Sequence, residues 1–348
     1  MPACYHSSIE GAQHGTKSLA QFLDYAKTSG ASGAQPSCFM LQEEGSHEKQ
    51  PKFKSAAEIK EMFASRGLTI DGISCHCPIW VHTTGWTESP TIRPFTPKHL
   101  HREPVKKIEA WMLVYILMLL ELAATLKVKI LPTFWGVAFG WEMASGYPWG
   151  FWAGPGYDFL KEGQERFVKK TAKIRAHANK LGIYLAHEIH PATAAMCADD
   201  FNMLVSICDG DKCLAVNAAP SHCWEGESWE SRFLKVAFRV YAAHIKNFVI
   251  RPGFPLRMME GAWQKRAMQF VDLPSGEINM QRYSELLIQI GYPTRYCQVM
   301  KRATAPLVVE AESAWKDLNH TSANGITYVR DNLCYPTAAG SFEDGMGA

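Results

Sequence analysis

The sequence predicts a single (β/α)8 barrel of the TIM type, and three observations support this fold. Short β-rich runs alternate with longer helical runs along the chain, giving eight strand–helix pairs. The chain has 348 residues, and eight such units need roughly 250. No linker rich in Pro, Gly or Ser divides it. We therefore expect one barrel domain over residues 1–335 and a C-terminal tail at 336–348.

In the first half, a short run at 4–7 opens the series, and Arg66-Gly67 stops a helix whose apolar residues recur at helical spacing. The run at 68–75 alternates like a strand, and Pro104 suits the first turn of a long helix. The predicted strands of this half are 4–7, 33–41, 68–75 and 128–134. The predicted helices are 18–27, 55–65, 104–126 and 157–181.

The second half repeats the theme, and Gly182 separates the helix before it from the next strand. The predicted strands are 183–189, 213–217, 239–246 and 307–310. The predicted helices are 198–208, 227–236, 279–290 and 323–333. A doubly wound sheet is the alternative architecture, but no Gly-x-Gly-x-x-Gly follows a strand and no P-loop is present. We therefore expect no nucleotide cofactor.

Composition excludes several classes of function. The chain is 47% hydrophobic and 20% charged, which is typical of a protein with a large core and not of a disordered or fibrous one. Lys and Arg total 36 against 34 Asp and Glu, a net charge of +2. Because this balance creates no strong positive field, neither nucleic acid nor a membrane surface is an expected partner.

The first residues lack the pattern of a secretory signal. The ten cysteines of the sequence are scattered along the chain. The most apolar stretch, 111–120, reaches Leu126 only by including Glu121. A membrane span needs about 18 or more apolar residues, so this stretch is interpreted as a buried helix. We expect a cytoplasmic protein with reduced thiols.

Three long segments follow predicted strands and would lie on the catalytic face of a barrel, at 78–104, 136–156 and 248–274. The second is rich in aromatic residues and glycine. It could be a platform for sugar rings or a hydrophobic cover over the barrel mouth. His76, Trp135 and Trp141, beside or within these segments, are candidate substrate-binding residues.

Polar side chains cluster at the ends of four predicted strands. Glu188 and His190 share one face of their strand, as do His244 and Lys246 of theirs. Glu310 and Glu312 end the last strand, while Asn217 and His222 leave another. Barrel active sites are assembled from several strand ends, and Glu, His and Glu from three strands can bind a divalent cation with open positions for substrate.

The segments HEIHP, APSH, HIKN and VVEAES, in this order, resemble the xylose isomerase-like sugar isomerase/epimerase barrels, a superfamily that includes endonuclease IV. The corresponding patterns there read approximately E-x-H-P, D-P-S-H, H-x-K-D and E-x-E-D. The resemblance implies a divalent ion, Mn²⁺ first and Mg²⁺, Co²⁺ or Zn²⁺ as alternatives. Its ligands here would be Glu188, His244 and Glu310.

Two positions depart from the pattern. Ala219 stands where the family has an aspartate, and Asn247 stands where the family has a second one. Asn217, two residues earlier on the same face, or a water could fill the gap left by Ala219, although an amide is a weaker ligand than a carboxylate. Both an intact metalloenzyme and a degenerate metal site are therefore open.

The chemistry expected of such a site is abstraction of a proton next to a carbonyl, with an enediolate as intermediate. The resemblance gives acid/base roles to Glu188 and Glu310. His190, His222 and Lys246 are alternatives for base or oxyanion stabiliser, and Glu312 is a further candidate for substrate binding. We expect a sugar or glycoside as substrate.

Three other functions are alternatives to the isomerase or epimerase. The aromatic segments and the tail resemble the catalytic α subunits of bacterial C-glycoside deglycosidases, which eliminate an aglycone from a 3-oxo-glucoside and work with a small β subunit. A non-catalytic sugar-binding barrel would follow if Ala219 and Asn247 abolish metal binding. Endonuclease-IV-like repair would need a basic DNA groove, which a net charge of +2 disfavours. Related barrels often pair through their outer helices, so a homo-oligomer is possible.

Overall fold

The computed structural model describes residues 4–14, 17–43, 50–84, 96–136, 159–256, 258, 262–313 and 315–334. Its framework is a sheet of eight parallel strands in the order β3-β2-β1-β10-β7-β6-β5-β4. These strands are β1 Tyr5–Glu10, β2 Gly33–Gln35, β3 Thr69–Ile70, β4 Ile130–Thr133, β5 Tyr184–Glu188, β6 Leu214–Ala218, β7 Val240–Ile245 and β10 Ala305–Val309. The sheet curls into a single α/β barrel, as the sequence predicts.

The two outer strands of this sheet meet through the segment that follows β3. The Cys75 amide donates to the carbonyl of Pro132 in β4, at 2.8 Å. The Thr133 hydroxyl donates to the Cys75 carbonyl at 3.2 Å. These bonds link the two edges of the sheet through Cys75.

Ten helices surround the sheet among the described residues. They are α1 Leu19–Thr28, α2 Ala56–Ala64, α3 His76–Thr83, α4 Val105–Leu126, α5 Phe159–Leu181, α6 Ala198–Ile207, α7 Trp229–Lys235, α8 Met280–Gln289, α9 Tyr292–Met300 and α10 Leu318–Asn332. Side chains of Ser18, Ser55 and Asn279 accept a backbone N–H at the start of α1, α2 and α8. Such caps satisfy amides that the first helical turn leaves unpaired.

The predicted strands and helices are confirmed, with differences in detail in both halves of the chain. The predicted strand at 33–41 ends at Gln35, because Pro36 has no N–H to continue the ladder, and Cys38–Leu41 forms a 3₁₀ turn instead. The predicted strand at 68–75 is shortened to Thr69–Ile70. Two helices, α3 and α9, were not predicted.

The segment at 248–274, predicted as a long loop, contains an antiparallel hairpin. Its strands are β8 Asn247–Ile250 and β9 Met268–Val271. Most of the aromatic segment at 136–156 and the tail beyond Cys334 lie outside the described residues.

Helix α4 is, among the described residues, the one helix long and apolar enough to cross a membrane by length and composition. Its buried residues recur at helical spacing, from Ile108 and Met112 to Leu126. This face packs against α2, α3 and α5. A helix in the outer layer of a barrel has an apolar inner face, so the packing accounts for the buried residues of α4.

Candidate active site

The carboxyl ends of β5, β6, β7 and β10 converge at one end of the barrel, and the strand registers place their polar residues side by side. Glu188 pairs with Asn217 across β5 and β6. His244 pairs with Val308 across β7 and β10, which brings Glu310 to the next inward position above it. The polar groups predicted from the strand ends therefore share one small volume.

Glu188, His244 and Glu310 form the centre of this group. One ligand atom from each lies within 4.8 Å of the other two. His244 Nδ1 is 3.2 Å from Glu188 Oε2 and 3.1 Å from Glu310 Oε2. The three residues are 1%, 0% and 8% exposed. Two carboxylates and one imidazole nitrogen are a donor set that divalent cations take.

The electrostatics of the trio favour a cation at its centre. Burial disfavours a charged His244 ring, but hydrogen bonds to Glu188 and Glu310 and their charges outweigh it and raise the pKa of His244 to about 10. Its other nitrogen, Nε2, lies 2.7 Å from Gln35 Oε1. When Nε2–H donates to that oxygen, the Nδ1 lone pair faces both carboxylates. The Nδ1 lone pair and the two carboxylates repel one another unless a proton or a metal ion lies between them. The residues therefore fit a divalent metal.

Glu188 is held as an anion by the groups around it. His222 Nε2 lies 2.9 Å from its Oε1, and Asn217 Nδ2 donates to its Oε2 at 2.8 Å. His76 Nε2 lies 3.7 Å from the same Oε2. Burial raises the pKa of this carboxyl, but the hydrogen bonds from the histidines reverse the effect and hold it well below its usual range.

Lys246 joins the two acidic residues that follow β10. Its Nζ donates to Glu310 Oε1 at 2.8 Å and lies 3.5 Å from Glu312 Oε2. Burial disfavours its charge, but the charges of Glu310 and Glu312 raise its pKa above the ordinary value. Lys246 therefore stays an ammonium ion next to the trio. Its Nζ also lies over the Phe270 ring, 4.2 Å from the centroid.

A wall of aromatic rings lines the same space. The ring centroids of His190 and His222 are 4.1 Å apart. The Phe134 ring centroid lies 4.4 Å from that of His76 and 4.9 Å from that of His190. Burial and the neighbouring His222 lower the pKa of His190 to about 3. His190 is therefore neutral at pH 7. Its Nδ1 lies 2.5 Å from the Pro191 carbonyl oxygen, so Nδ1 carries the proton and Nε2 is free to accept one.

Two tryptophans were predicted to bind substrate. Trp135 is buried and its ring meets Phe167 of α5 edge-on. Phe134, the residue before it, is the one whose ring contacts the site histidines, since neighbouring residues of an extended chain face opposite ways. Phe134 thus lines the site, and the structure does not bring the Trp135 ring to it. Trp141 lies outside the described residues.

The two departures from the family pattern have different structural consequences. Ala219 is buried at the end of β6 and has no ligand atom in its side chain. Asn217 directs Nδ2 at Glu188, and its Oδ1 is buried with no hydrogen-bond partner among the described residues. Asn247 has another role. Its Nδ2 donates to the carbonyls of Leu273 and Ile278, and its Oδ1 accepts from two backbone amides. Asn247 therefore holds β8 to the segment that follows β9 and does not serve as a metal ligand.

The opposite wall of the site carries residues that sequence reasoning missed. Glu10 ends β1, Gln35 ends β2, and Gln13 donates to Glu312 Oε1 at 2.8 Å. Glu10 Oε2 accepts the Ala12 amide at 2.7 Å, while its Oε1 has no partner among the described residues. Burial, and then the charge of Glu310, raise the pKa of Glu10. In the second half of the chain, the candidates were found because polar residues stand at strand ends. The same rule would have identified Glu10 and Gln35 at the ends of β1 and β2.

Solved structures share this fold. One is a xylose isomerase-like TIM barrel protein from Mycobacterium smegmatis in complex with magnesium, at TM-score 0.59 and 16% identity over 94% of this chain and 97% of that one. A second is a 3-keto-D-glucoside 4-epimerase from E. coli, at TM-score 0.56 and 11% identity over 94% and 99%. A third is a probable 3-DHS dehydratase from Bacillus anthracis, at TM-score 0.59 and 15% identity over 94% and 99%. Because the identities are this low, the structural matches show a common fold and nothing more.

A comparison with curated proteins found no match. The sequence profile described as xylose isomerase-like TIM barrel, however, matches residues 23–317. That range includes seven of the eight barrel strands and the whole Glu188, His244 and Glu310 trio. Together with the barrel sheet and the converging strand ends, this match shows that the chain belongs to the xylose isomerase-like TIM barrel family.

Proposed function

We propose that the protein is a divalent-metal-dependent isomerase or epimerase that moves a proton next to the carbonyl of a sugar or keto-sugar. The observation that carries the proposal is the buried trio of Glu188, His244 and Glu310, with ligand atoms within 4.8 Å of one another. The fold relatives with epimerase and magnesium in their descriptions support the same chemistry.

Glu188, His244 and Glu310 would hold the metal, with Asn217 Oδ1 or a water as a further oxygen ligand. A bound divalent cation supplies a Lewis acid that stabilises negative charge on a carbonyl oxygen. Mn²⁺ is the ion we expect, with Mg²⁺, Co²⁺ and Zn²⁺ as alternatives, because carboxylate and imidazole ligands suit all of them.

The chain's own groups supply the proton chemistry. Either His190 Nε2 or the Glu188 carboxylate would accept the one proton from the carbon next to the carbonyl, since both are in their basic forms at neutral pH. The group that takes this proton would then return it to carbon, at the neighbouring position for an isomerase or on the opposite face for an epimerase. The Lys246 ammonium stabilises an oxyanion beside Glu310. His222 and His76 orient Glu188, while Phe134 and Phe270 exclude water and offer apolar faces to a sugar ring.

Elimination is the second candidate reaction. The same deprotonated carbon expels a leaving group when one stands next to it, as in the lyases that act on 3-oxo-glycosides. The fold relative described as a probable dehydratase is consistent with this branch. Under this reading a small β subunit is a proposed partner.

The test is deuterium exchange in D₂O with Mn²⁺ and a panel of keto-hexoses and 3-keto-glucosides, followed by NMR. We expect metal-dependent deuterium at the carbon next to the carbonyl, and none with Glu188→Gln. Glu58→Gln, on the exposed face of α2, is the matched control and should exchange like the parent. Aglycone release would identify the lyase. Metal-loaded protein that binds sugars without exchange would contradict both enzyme assignments and leave a binding barrel.

A further inference from the structure

Gln35 ends β2, on the wall of the site opposite the strand ends that carry Glu188, His244 and Glu310, and its amide reaches the ring of His244. Its Oε1 lies 2.7 Å from His244 Nε2, and both residues are buried. The contact joins β2 to β7 across 209 positions of sequence. Histidine has one proton to share between two nitrogens when it is neutral, so a fixed acceptor at Nε2 determines which nitrogen is left with a lone pair.

We propose that Gln35 is a positioning residue for the metal: its side-chain oxygen fixes the His244 tautomer that presents Nδ1 to the cation. The inference rests on the proposed metal site. With Nε2–H donated to Gln35, Nδ1 lies between the Glu188 and Glu310 carboxylates with its lone pair directed at them. The other tautomer would aim an N–H at the cation position and bind no metal there.

The surroundings of Gln35 hold its amide in this orientation. A Cβ added at Gly72 would lie 2.6 Å from Gln35 Nε2, so the Gly72 backbone packs directly against the amide. Gly72 does not have a positive φ, and the close approach is the reason why this position has no side chain. The neighbour on the other side is Glu10, in register with Gln35 on β1.

That neighbour also explains why the acceptor is a neutral amide. A carboxylate at position 35 would stand beside the buried Glu10 carboxyl, in a site that already holds Glu188 and Glu310. An amide accepts the same hydrogen bond from His244 without adding a negative charge. Gln35 therefore orients the ring and leaves binding of the cation to the opposite wall.

The test is the Mn²⁺ dissociation constant of the full chain, compared among variants whose folding is checked by thermal unfolding. Gln35→Met keeps the volume and removes the acceptor, and we expect affinity to fall about 10- to 100-fold, as for other outer-shell partners of metal ligands. Gln35→Glu keeps an acceptor and should bind at least as tightly as the parent. Gln269→Met is the matched control, since this buried amide bonds only to the carbonyls of Trp263 and Arg266 among the described residues.

Two further readouts separate positioning from general damage. In Zn²⁺-loaded protein, ¹⁵N NMR should show a proton on His244 Nε2, and this resonance should shift or exchange rapidly in Gln35→Met. Gly72→Ala, which removes no polar atom, should weaken Mn²⁺ binding by displacing the amide.

Equal Mn²⁺ affinity in Gln35→Met and the parent would overturn the inference while leaving the metal site intact. Equal loss in Gln35→Met and Gln35→Glu would also overturn it, because the acceptor would then not matter. A parent that binds no Mn²⁺ would remove the proposed function as well.

Discussion

The two walls of the site differ in how they handle charge. On the wall built from β5, β6, β7 and β10, every ionised group contacts an opposite charge, as Lys246 contacts Glu310. On the wall built from β1 and β2, Gln35 is neutral and Glu10 has a carboxyl oxygen with no hydrogen-bond partner among the described residues. Opposite charges are thus concentrated where a cation would bind, and the other wall supplies an acceptor, Gln35, that orients His244.

The largest effect is expected on the charged wall, from Lys246→Met. The substitution would leave Glu310 and Glu312 without their buried counter-charge. Breaking one partner of a buried ion pair typically costs about 3–5 kcal/mol. Denaturant unfolding of the metal-free protein measures this loss. Lys235→Met breaks an exposed pair with Asp199 and should cost far less, because solvent screens the interaction of exposed charges. Equal losses in the two variants would contradict the charge assignment.

The second effect is a strong dependence of metal binding on pH. In the metal-free protein the pKa of His244 is raised from 6.5 to about 10, so metal must displace a proton at neutral pH. Apparent Mn²⁺ affinity should therefore rise about tenfold per pH unit from pH 7 to 9. The stability that the protonated ring adds is complete below pH 6.5 and is lost as pH rises through about 10. Calorimetric titration at several pH values checks the slope, and a flat profile would show that metal binding displaces no proton from His244.

The third effect separates the two departures from the family pattern. Ala219→Asp adds a carboxylate at the end of β6 and should tighten Mn²⁺ binding about tenfold, because a carboxylate is a better ligand than an amide or water. Asn247→Asp should not. It would aim a carboxylate at the carbonyls of Leu273 and Ile278 and destabilise the fold by about 1–3 kcal/mol. Tighter Mn²⁺ binding in Asn247→Asp would show that this residue serves the metal after all.

The barrel and the charged wall could be predicted because both follow from local rules. Alternation of strand and helix predicts eight units, and strand ends that carry Glu188, His244 and Glu310 predict where they meet. Glu10 and Gln35 were missed because the predicted strand ends were wrong. The run at 4–7 stops before Glu10, and the apolar run that continues past Pro36 conceals the end of β2 at Gln35.

Other features depend on distant contacts that no local pattern contains. Asn247 bonds to carbonyls 26 and 31 residues away, and Gln35 bonds to a ring 209 residues away. Whether Asn247 is a metal ligand could be judged only from these hydrogen bonds. The same holds for Trp135, whose direction is set by the last residues of β4.

The smallest effect tests the neutral wall. Burial and the charge of Glu310 raise the pKa of Glu10, so its ionisation destabilises the folded state as pH rises above the ordinary value of 4.5. Glu10→Gln should stabilise the metal-free protein at pH 7 by on the order of 1 kcal/mol, and the gain should vanish at pH 4. Chemical unfolding at both pH values measures it. A loss of stability at pH 7 would mean that the Glu10 charge is compensated.

We infer that Glu188, His244 and Glu310 bind a metal even though Ala219 offers no ligand atom. The direct measurement is the metal content of the purified protein, with and without added Mn²⁺, compared with Glu188→Ala and His244→Ala. We expect near-stoichiometric metal in the parent and little in either variant. A parent that stays free of metal after supplementation with Mn²⁺ would contradict it and leave the barrel as a sugar-binding protein or a metal-free lyase that uses histidine.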